Sequence, residues 1–229
     1  MEKVWASAFT TLDANHEDHP ILISDAPLNP RSNRENICKH LFEIFNVPAL
    51  HVSIAGLLAL YASGRGSGIV LDSGDGVTHV VPVCQGQTFP HAIGRGNVVG
   101  SDVTEYMLRL LAERGYILSS SSYREMIRET KEKVCSAARI GDLEQATVSS
   151  KNSPSFTLPD GKEIQVEEGF FSRPAEALFD PSLIGQGASG LQNVVWNSIL
   201  KCDVDVRRDL VGNIVLVGSF LELTRSGKT

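Results

Sequence analysis

Apolar positions in the first sixty residues alternate between a strand pattern and helix patterns. The run PILISDAP (20–27) is short and apolar, which predicts a strand. A helix is predicted from Asn29-Pro30 to about residue 45, because four apolar side chains recur at helical spacing on one face: Ile37, Leu41, Phe42 and Phe45. After Val47-Pro48 a second helix is predicted, closed by Gly64 in a left-handed conformation, with a second apolar set: Ile54, Leu57, Leu58 and Tyr61.

The segment 67–83 (SGIVLDSGDGVTHVVPV) carries two apolar, β-branched runs around a glycine-rich turn, which predicts a β-hairpin. A helix over about 102–114 should end at Gly115, with an inward apolar set: Val103, Met107, Leu110 and Leu111. The next helix is predicted to begin at a capping box of Ser122 and Glu125 and to continue to about Ala138.

The remainder of the chain continues the mixed pattern of strands and helices. The polar stretch 147–154 predicts an exposed loop, and 158–161 predicts a turn before the strand-like KEIQVEE. A helix is expected near 191–201, and NIVLVGS (213–219) reads as a buried strand. The alternation favours an α/β fold.

Composition excludes several classes of protein. The chain has 229 residues, 42% of them apolar and 21% charged, with a net charge of −6, which argues against a nucleic-acid partner. No apolar run approaches the roughly 20 residues that span a bilayer, and no signal-peptide pattern opens the chain, so we expect a cytoplasmic protein. Four widely spaced cysteines without a CxxC pair predict reduced, mostly buried thiols: Cys38, Cys84, Cys135 and Cys202.

Two glycine-containing segments imitate phosphate-binding motifs without satisfying them. The final RSGKT resembles a Walker A ending, but Glu222 stands where that loop requires glycine. GRGNVVG (94–100) misses the GxGxxG fingerprint because Val99 occupies the third glycine position. Neither segment is assigned a ligand.

The turn of the predicted hairpin is the strongest candidate for chemistry. Glycines at 74 and 76 allow backbone N–H groups to approach an anion without an intervening Cβ. Asp72 is placed to hold a hydrated Mg²⁺, and His79 on the return strand to orient a water molecule. A branched side chain at Gly74 should abolish binding, by blocking this approach and by disfavouring positive φ. A plain hairpin with a DG turn remains the alternative interpretation.

Segments along nearly the whole chain resemble actin, in actin order. VLDSGDGVTHVVPV resembles the second phosphate-binding hairpin of that family, and the other matching segments are MEKVW, APLNP, NVPAL, LYASGR, PHAI, LLAERGY, KEKVC, LPDG and NSILKCDVDVRRDL. The resemblance implies a partial actin-like ATPase fold of the ribonuclease-H-like α/β class. It implies three units: 1–64 from the first actin half, 65–99 with 180–229 from the core of the second half, and 100–179 as the outer subdomain.

The resemblance also implies ATP or ADP with Mg²⁺ as the cofactors. The residues that match the phosphate hairpin are Gly74, Asp75, Gly76 and Val77, and Asp72 matches the carboxylate that holds the hydrated magnesium. Gly100 matches a glycine beside the cleft. The helix that lines the adenosine pocket is matched by Arg128, Lys131 and Glu132. Gly218 matches the first glycine of a turn under the adenine, whose second glycine is replaced by Ser219.

Several positions depart from the family pattern. Ala55 stands where actins carry the glutamine that positions the attacking water, which leaves His79 as a weak catalytic group. Ser101 replaces an arginine, the loop 82–89 is altered at the filament surface, and the plug-like loop 179–191 keeps its apolar tip only in Leu183 and Ile184. The family's first phosphate loop has no counterpart in this sequence.

These observations predict an actin-like cytoskeletal protein that binds Mg-ATP or Mg-ADP, with filament-forming ancestry and impaired hydrolysis and polymerisation. Its expected partners are actin or actin-binding proteins, and self-association is a further expectation. Two alternatives remain open: a non-hydrolysing interaction module related to actin, and a truncated gene product, because Met1 coincides with a methionine that is internal in actins.

Overall fold

The computed structural model describes residues 2–116, 120–135, 155–157, 163–165, 170 and 172–218. The loop predicted at 147–154, the turn predicted at 158–161 and the predicted end of a helix at Ala138 lie outside the described residues, as does Ser219.

A small parallel sheet forms the first part of the fold. Its two strands, β1 (Ile21–Asp25) and β2 (Leu50–Ile54), pair with Ile21 opposite Leu50. The helices around them are α1 (Glu2–Leu12), α2 (Arg31–Lys39), which continues as a π-helical turn over His40–Ile44, and α3 (Ala55–Ala62). The prediction of a helix that includes Ile54 is wrong, because residues 50–54 pair with β1 and α3 begins only after them.

The apolar face of α2 is narrower than its sequence predicts. Ile37, Leu41 and Phe45 are buried and pack with Trp5 and Phe9 of α1. Phe42, predicted to share this face, is 46% exposed. The three buried residues follow one another at a spacing of four, which keeps them aligned through the π-helical turn, whereas Phe42 is rotated away from that line.

The larger sheet contains the predicted hairpin. Its strands follow the order β5-β4-β3-β9, with β6 also paired to β4. The hairpin strands β3 and β4 are antiparallel, which confirms the sequence prediction, and β9 lies parallel to β3. The strands are β3 (Gly68–Ser73), β4 (Thr78–Cys84), β5 (Gln87–Thr88), β6 (Gly94–Gly96) and β9 (Ile214–Val217).

Five further α-helices, a small hairpin and two short 3-10 helices, Pro90–Ala92 and Pro181–Ile184, complete the described elements. The hairpin pairs β7 (Ser155–Thr157) with β8 (Glu163–Gln165). The helices are α4 (Gly100–Glu113), α5 (Ser121–Val134), α6 (Arg173–Glu176), α7 (Leu191–Leu200) and α8 (Val204–Gly212). The predicted inward set of α4 is buried as expected.

The predicted cap of α5 is shifted by two residues. The Ser120 hydroxyl accepts a hydrogen bond from the Tyr123 N–H, so Ser120 is the N-cap and Ser122 lies inside the first turn. Ser122 has Glu125 at the capping-box spacing, whereas Ser120 has Tyr123 there. The helix nevertheless begins after Ser120, because that residue is the last one with extended geometry. The capping box predicted at Ser122 is therefore wrong.

The two faces of the larger sheet pack against different helices. Ile69, Leu71 and Val80 belong to the main core, which includes buried residues of α4, α7 and α8. Val70 and Val81 point to the opposite face and pack with Leu60 and other residues of α3. This alternation follows the two-residue period of a strand.

Strand β9 is only partly covered, contrary to the prediction of a buried strand. Val215 and Val217 pack beside α3, but Ile214 and Leu216 are 46% and 47% exposed. Residues 68–71, by contrast, are covered, because Ile69 and Val70 are fully buried between helices on the two faces of the sheet.

The main core joins two of the predicted units. It combines Ile69 and Leu210 with Val103 and Leu178, residues that the sequence analysis assigned to different units. The three-unit division therefore stays a prediction. In the part of the chain that the structure describes, no helix is both long and apolar enough to cross a membrane.

Candidate functional site

The turn between β3 and β4 is held from outside by the start of α4. Within the turn, the Gly74 N–H donates to the Val77 carbonyl at 2.9 Å. The first two N–H groups of α4 then donate to the turn, from Gly100 to the Gly74 carbonyl and from Ser101 to the Asp75 carbonyl, both at 2.9 Å. The carbonyls of Gly74 and Asp75 are thereby occupied by α4.

The N–H groups of the same turn point elsewhere. Among the described residues, the amides of Asp75, Gly76 and Val77 make no hydrogen bond, and all three residues are exposed. Consecutive N–H groups without backbone partners form a concavity that binds anions. The arrangement therefore fits a phosphate group, since its oxygens accept hydrogen bonds from several amides at once.

The two glycines of the turn are not required by the fold. Neither Gly74 nor Gly76 has positive φ, so the expectation that a substitution at Gly74 would strain such a conformation is wrong. A Cβ at Gly74 would meet only the Val77 oxygen, at 3.6 Å, and a Cβ at Gly76 would meet nothing within 4 Å. The missing side chains at these two positions are therefore compatible with the close approach of a ligand.

Gly100 and Gly218, by contrast, are required by packing. A Cβ at Gly100 would lie 3.0 Å from the Gly74 oxygen and from the Asp75 Cα. Gly218 has a φ of 110°, and a Cβ there would lie 2.1 Å from the Ser73 oxygen. Both glycines therefore bring their segments against the hairpin, and their predicted contact with a nucleotide stays a prediction.

Two buried hydroxyls support the base of the turn. The hydroxyls of Ser73 and Thr78 lie 3.1 Å apart, and the Thr78 hydroxyl donates to the Val98 carbonyl at 3.1 Å. Both residues are fully buried. The sequence analysis assigned them no role, although hydroxyl residues opposite each other at the ends of paired strands are a signal for such a bond.

Asp72 and His79 lie directly opposite each other on β3 and β4, and Arg95 is the partner of His79 on β6. Burial raises the pKa of Asp72, partly offset by His79. Burial and the Arg95 charge hold the pKa of His79 below its ordinary value, partly offset by Asp72. His79 is therefore neutral at pH 7 and retains a ring nitrogen that accepts a hydrogen bond.

The start of α3 approaches the same pair of strands. A Cβ at Gly56 would lie 3.3 Å from Val81 and 3.7 Å from Val70. These valines lie one two-residue strand repeat from His79 and from Asp72, respectively. Ala55, the first residue of α3, therefore belongs to the neighbourhood of these two side chains. It contributes only a methyl group to that neighbourhood.

A cavity of about 360 Å³ opens beside the turn, between α4 and α5. Its lining consists of Asp75, Ser101, Thr104, Ser121, Arg124, Glu125 and Arg128. Arg128 pairs with Glu125 and, at 3.3 Å, with Glu132. These carboxylates raise the pKa of Arg128, so it remains a cation with its orientation set along α5.

Lys131 is separated from the two neighbours with which it was predicted to act. Arg128 and Glu132 form a partly exposed pair, whereas the Lys131 side chain is buried against α4. Its ammonium donates to the Gly100 carbonyl at 2.8 Å and to the Thr104 hydroxyl at 3.0 Å. Burial lowers the pKa of Lys131, although nearby Asp75 and Glu132 favour the charged form.

The other predicted surface features are present as local structure. Residues Cys84–Gln87 form a tight hairpin, with Gln85 and Gly86 both at positive φ, and the Tyr61 hydroxyl covers Gly86. In the plug-like loop, Leu183 is exposed and Ile184 packs on the main core. All four cysteines are free thiols, of which Cys135 and Cys202 are buried.

The donor set fits a hydrated magnesium ion. Among the described residues, no three His, Cys, Asp or Glu side chains converge to enclose a metal. Mg²⁺ needs few protein ligands because it keeps several waters and is completed by phosphate oxygens. The half-buried carboxyl of Asp72, beside the turn with its free amides, matches this requirement, and its role as a magnesium ligand stays a prediction.

Two comparisons with known proteins agree with each other. The family model described as Actin matches residues 1–223. A Neurospora crassa protein described as an actin-like protein is 46% identical over 224 residues, which is 95% of this chain and 59% of that protein. The chain thus spans about three-fifths of the length of the curated relative it matches.

Proposed function

This chain belongs to the actin family, and from that premise we propose that it binds Mg-ATP or Mg-ADP at the hairpin turn. The observation that carries the proposal is the set of free amides at Asp75, Gly76 and Val77 in a turn fixed by α4. A fixed turn presents these donors without an ordering cost at the moment of binding.

Different residues around the turn would contact different parts of the ligand. The amides of Asp75, Gly76 and Val77 would hold the β- and γ-phosphates, and Gly74 would allow their close approach. Asp72 would hold the water shell of Mg²⁺. The ion supplies neutralisation of the phosphate charge. On the nucleoside side, the cavity beside Asp75 supplies hydroxyl, carboxylate and guanidinium groups from Ser101, Glu125 and Arg128.

Hydrolysis should be slow. A neutral His79 can accept a hydrogen bond from a water molecule, but Ala55 offers no group to fix the same water from α3. Losing one positioning or stabilising group costs other enzymes about 10²–10³ in rate. We therefore propose at most a weak ATPase, and a cytoskeletal, cytoplasmic protein of filament-forming ancestry.

Calorimetry with Mg-ATP tests the proposal. We expect binding far weaker than submicromolar, because the part of the chain that the structure describes offers amides from one phosphate hairpin. Gly76→Val should abolish this binding, because its side chain enters the space in front of the free amides while the fold offers it no clash.

Gly66→Val is the matched control. Gly66 also lacks positive φ, and a Cβ there would meet nothing within 4 Å, yet Gly66 lies away from the turn. Equal losses in both variants, or unchanged affinity in folded Gly76→Val, would remove the hairpin from the binding site.

The second candidate function is that of a protein-interaction module that does not hydrolyse nucleotide. Exposed apolar side chains on neighbouring elements favour it, including Trp196 and Leu200 one turn apart on α7, at 54% and 44% exposure. Exposed aromatic residues are frequent anchors of protein interfaces. Cosedimentation with actin filaments that is lost in Trp196→Ala, and is indifferent to Mg-ATP, would favour this function over nucleotide binding.

A further inference from the structure

We propose that Lys131 is a positioning residue that fixes the hairpin turn through Gly100, instead of a direct ligand of the nucleotide. The inference rests in part on the proposed function, since the turn is the phosphate site. It concerns how that site is kept in place from α5, a different helix from α4, whose N–H groups bond the turn.

Gly100 is the link between Lys131 and the turn. On one side its carbonyl accepts from the Lys131 ammonium at 2.8 Å and from the Thr104 hydroxyl at 3.1 Å. On the other side its N–H donates to the Gly74 carbonyl at 2.9 Å. The two polar groups of one residue therefore connect α5 to the turn.

The contact of Gly100 with the turn leaves little freedom. A Cβ would already approach the Asp75 Cα and the Gly74 oxygen to 3.0 Å, so the backbones are at closest packing. A shift of the first turn of α4 would consequently move Gly74 and Asp75. The Lys131 bond opposes that shift because it holds the Gly100 carbonyl from the far side.

The burial of Lys131 indicates that its ammonium stays in this position. Lys131 and Thr104 are each only 2% exposed. A buried ammonium is costly unless hydrogen-bonded, so the side chain loses more by leaving these acceptors than an exposed lysine would. The charged groups that face it are Asp75, Glu132 and Arg128, and it also faces the neutral thiol of Cys135, whose pKa burial raises to about 12.

Amide hydrogen exchange tests the positioning without any ligand. In Lys131→Met, the Gly100 and Ser101 amides should exchange roughly tenfold faster, as expected when one supporting hydrogen bond is lost. Lys201→Met, the same change at an exposed lysine, should leave both amides unchanged. Unchanged exchange at Gly100 and Ser101 in Lys131→Met would overturn the proposal.

Thr104 provides a gentler pair of variants, should Lys131→Met fail to fold. Thr104→Ser keeps the hydroxyl that bonds Lys131, whereas Thr104→Val removes it with nearly the same shape. We expect faster exchange only in Thr104→Val. Equal exchange in the two variants would contradict the role of this bond.

Binding experiments separate positioning from direct contact. A displaced turn weakens Mg-tripolyphosphate and Mg-ATP by the same factor in Lys131→Met, whereas loss of a direct nucleoside contact weakens only Mg-ATP. The second pattern would overturn the inference. Failure of the wild-type protein to bind either probe would contradict the proposed function, while the exchange results would still decide the role of Lys131.

Discussion

The protonation and electrostatics of individual residues in the site depend on residues that are close in space but not in sequence. Asp72 and His79 were candidates from their positions in one motif, but their protonation depends on burial and on Arg95, which lies on another strand. Asp75 and Arg128 likewise line the same cavity although they lie far apart in the sequence. Residue types in a sequence therefore indicate a site, while strand register and helix packing set its electrostatics.

His79 should make stability depend on pH. Because its pKa is lowered in the folded state, the unfolded chain binds a proton at higher pH than the folded protein does. The free energy of unfolding should consequently fall as the pH decreases from 7 through the unfolded value near 6.5 towards the folded pKa. Below that pKa this contribution is constant.

Urea denaturation between pH 5 and 8 provides the measurement. The His79→Gln variant, which cannot titrate, should show a flatter dependence than the wild-type protein over this range. The His19→Gln variant, at an exposed position, serves as the control for removing a histidine. An identical pH dependence in wild-type protein and His79→Gln would contradict the coupling.

Secondary-structure elements were predicted best where local chemistry alone selects them. The hairpin, the inward face of α4 and the left-handed Gly64 and Gly115 follow from β-branched runs, helical spacing and glycine at helix ends. Strand β2 was missed because its pairing partner, β1, lies almost thirty residues earlier. Pairing with a distant strand overrides the local preference of a short apolar segment.

The shifted cap of α5 gives a prediction at the scale of an element. Ser120→Ala should lower the free energy of unfolding by about 0.5–2 kcal/mol, because the Tyr123 N–H loses its acceptor. Ser122→Ala should change it by no more than about 0.5 kcal/mol, since that serine lies on the exposed surface of the first turn. Thermal denaturation of the two variants, measured side by side, would expose a wrong assignment if their order were reversed.

The whole molecule should self-associate weakly through the open side of β9. Among the described strands β9 pairs only with β3, and it carries no charge to oppose edge-to-edge contact. We expect small oligomers that grow with protein concentration and do not respond to Mg-ATP. Sedimentation velocity over a concentration series, followed by electron microscopy, measures this.

Leu216→Lys should shift the oligomers towards monomer, because it places a charge beside the open edge, where the native leucine is 47% exposed. Val204→Lys, at a 73% exposed position on α8, is the control for adding a surface lysine. Regular two-stranded filaments formed on addition of Mg-ATP would contradict this behaviour.

The sequence by itself determined the family, the α/β class and the hairpin that carries the candidate site. Those features depend on short motifs and local periodicity, which contiguous residues contain in full. Tertiary structure alone decided which groups the site can use: the free amides at Asp75–Val77, the occupied carbonyls of Gly74 and Asp75, and the burial of Lys131 beneath Gly100. Each of these requires α4 or α5 to pack beside a turn that lies many residues earlier in the chain. No local pattern specifies that packing.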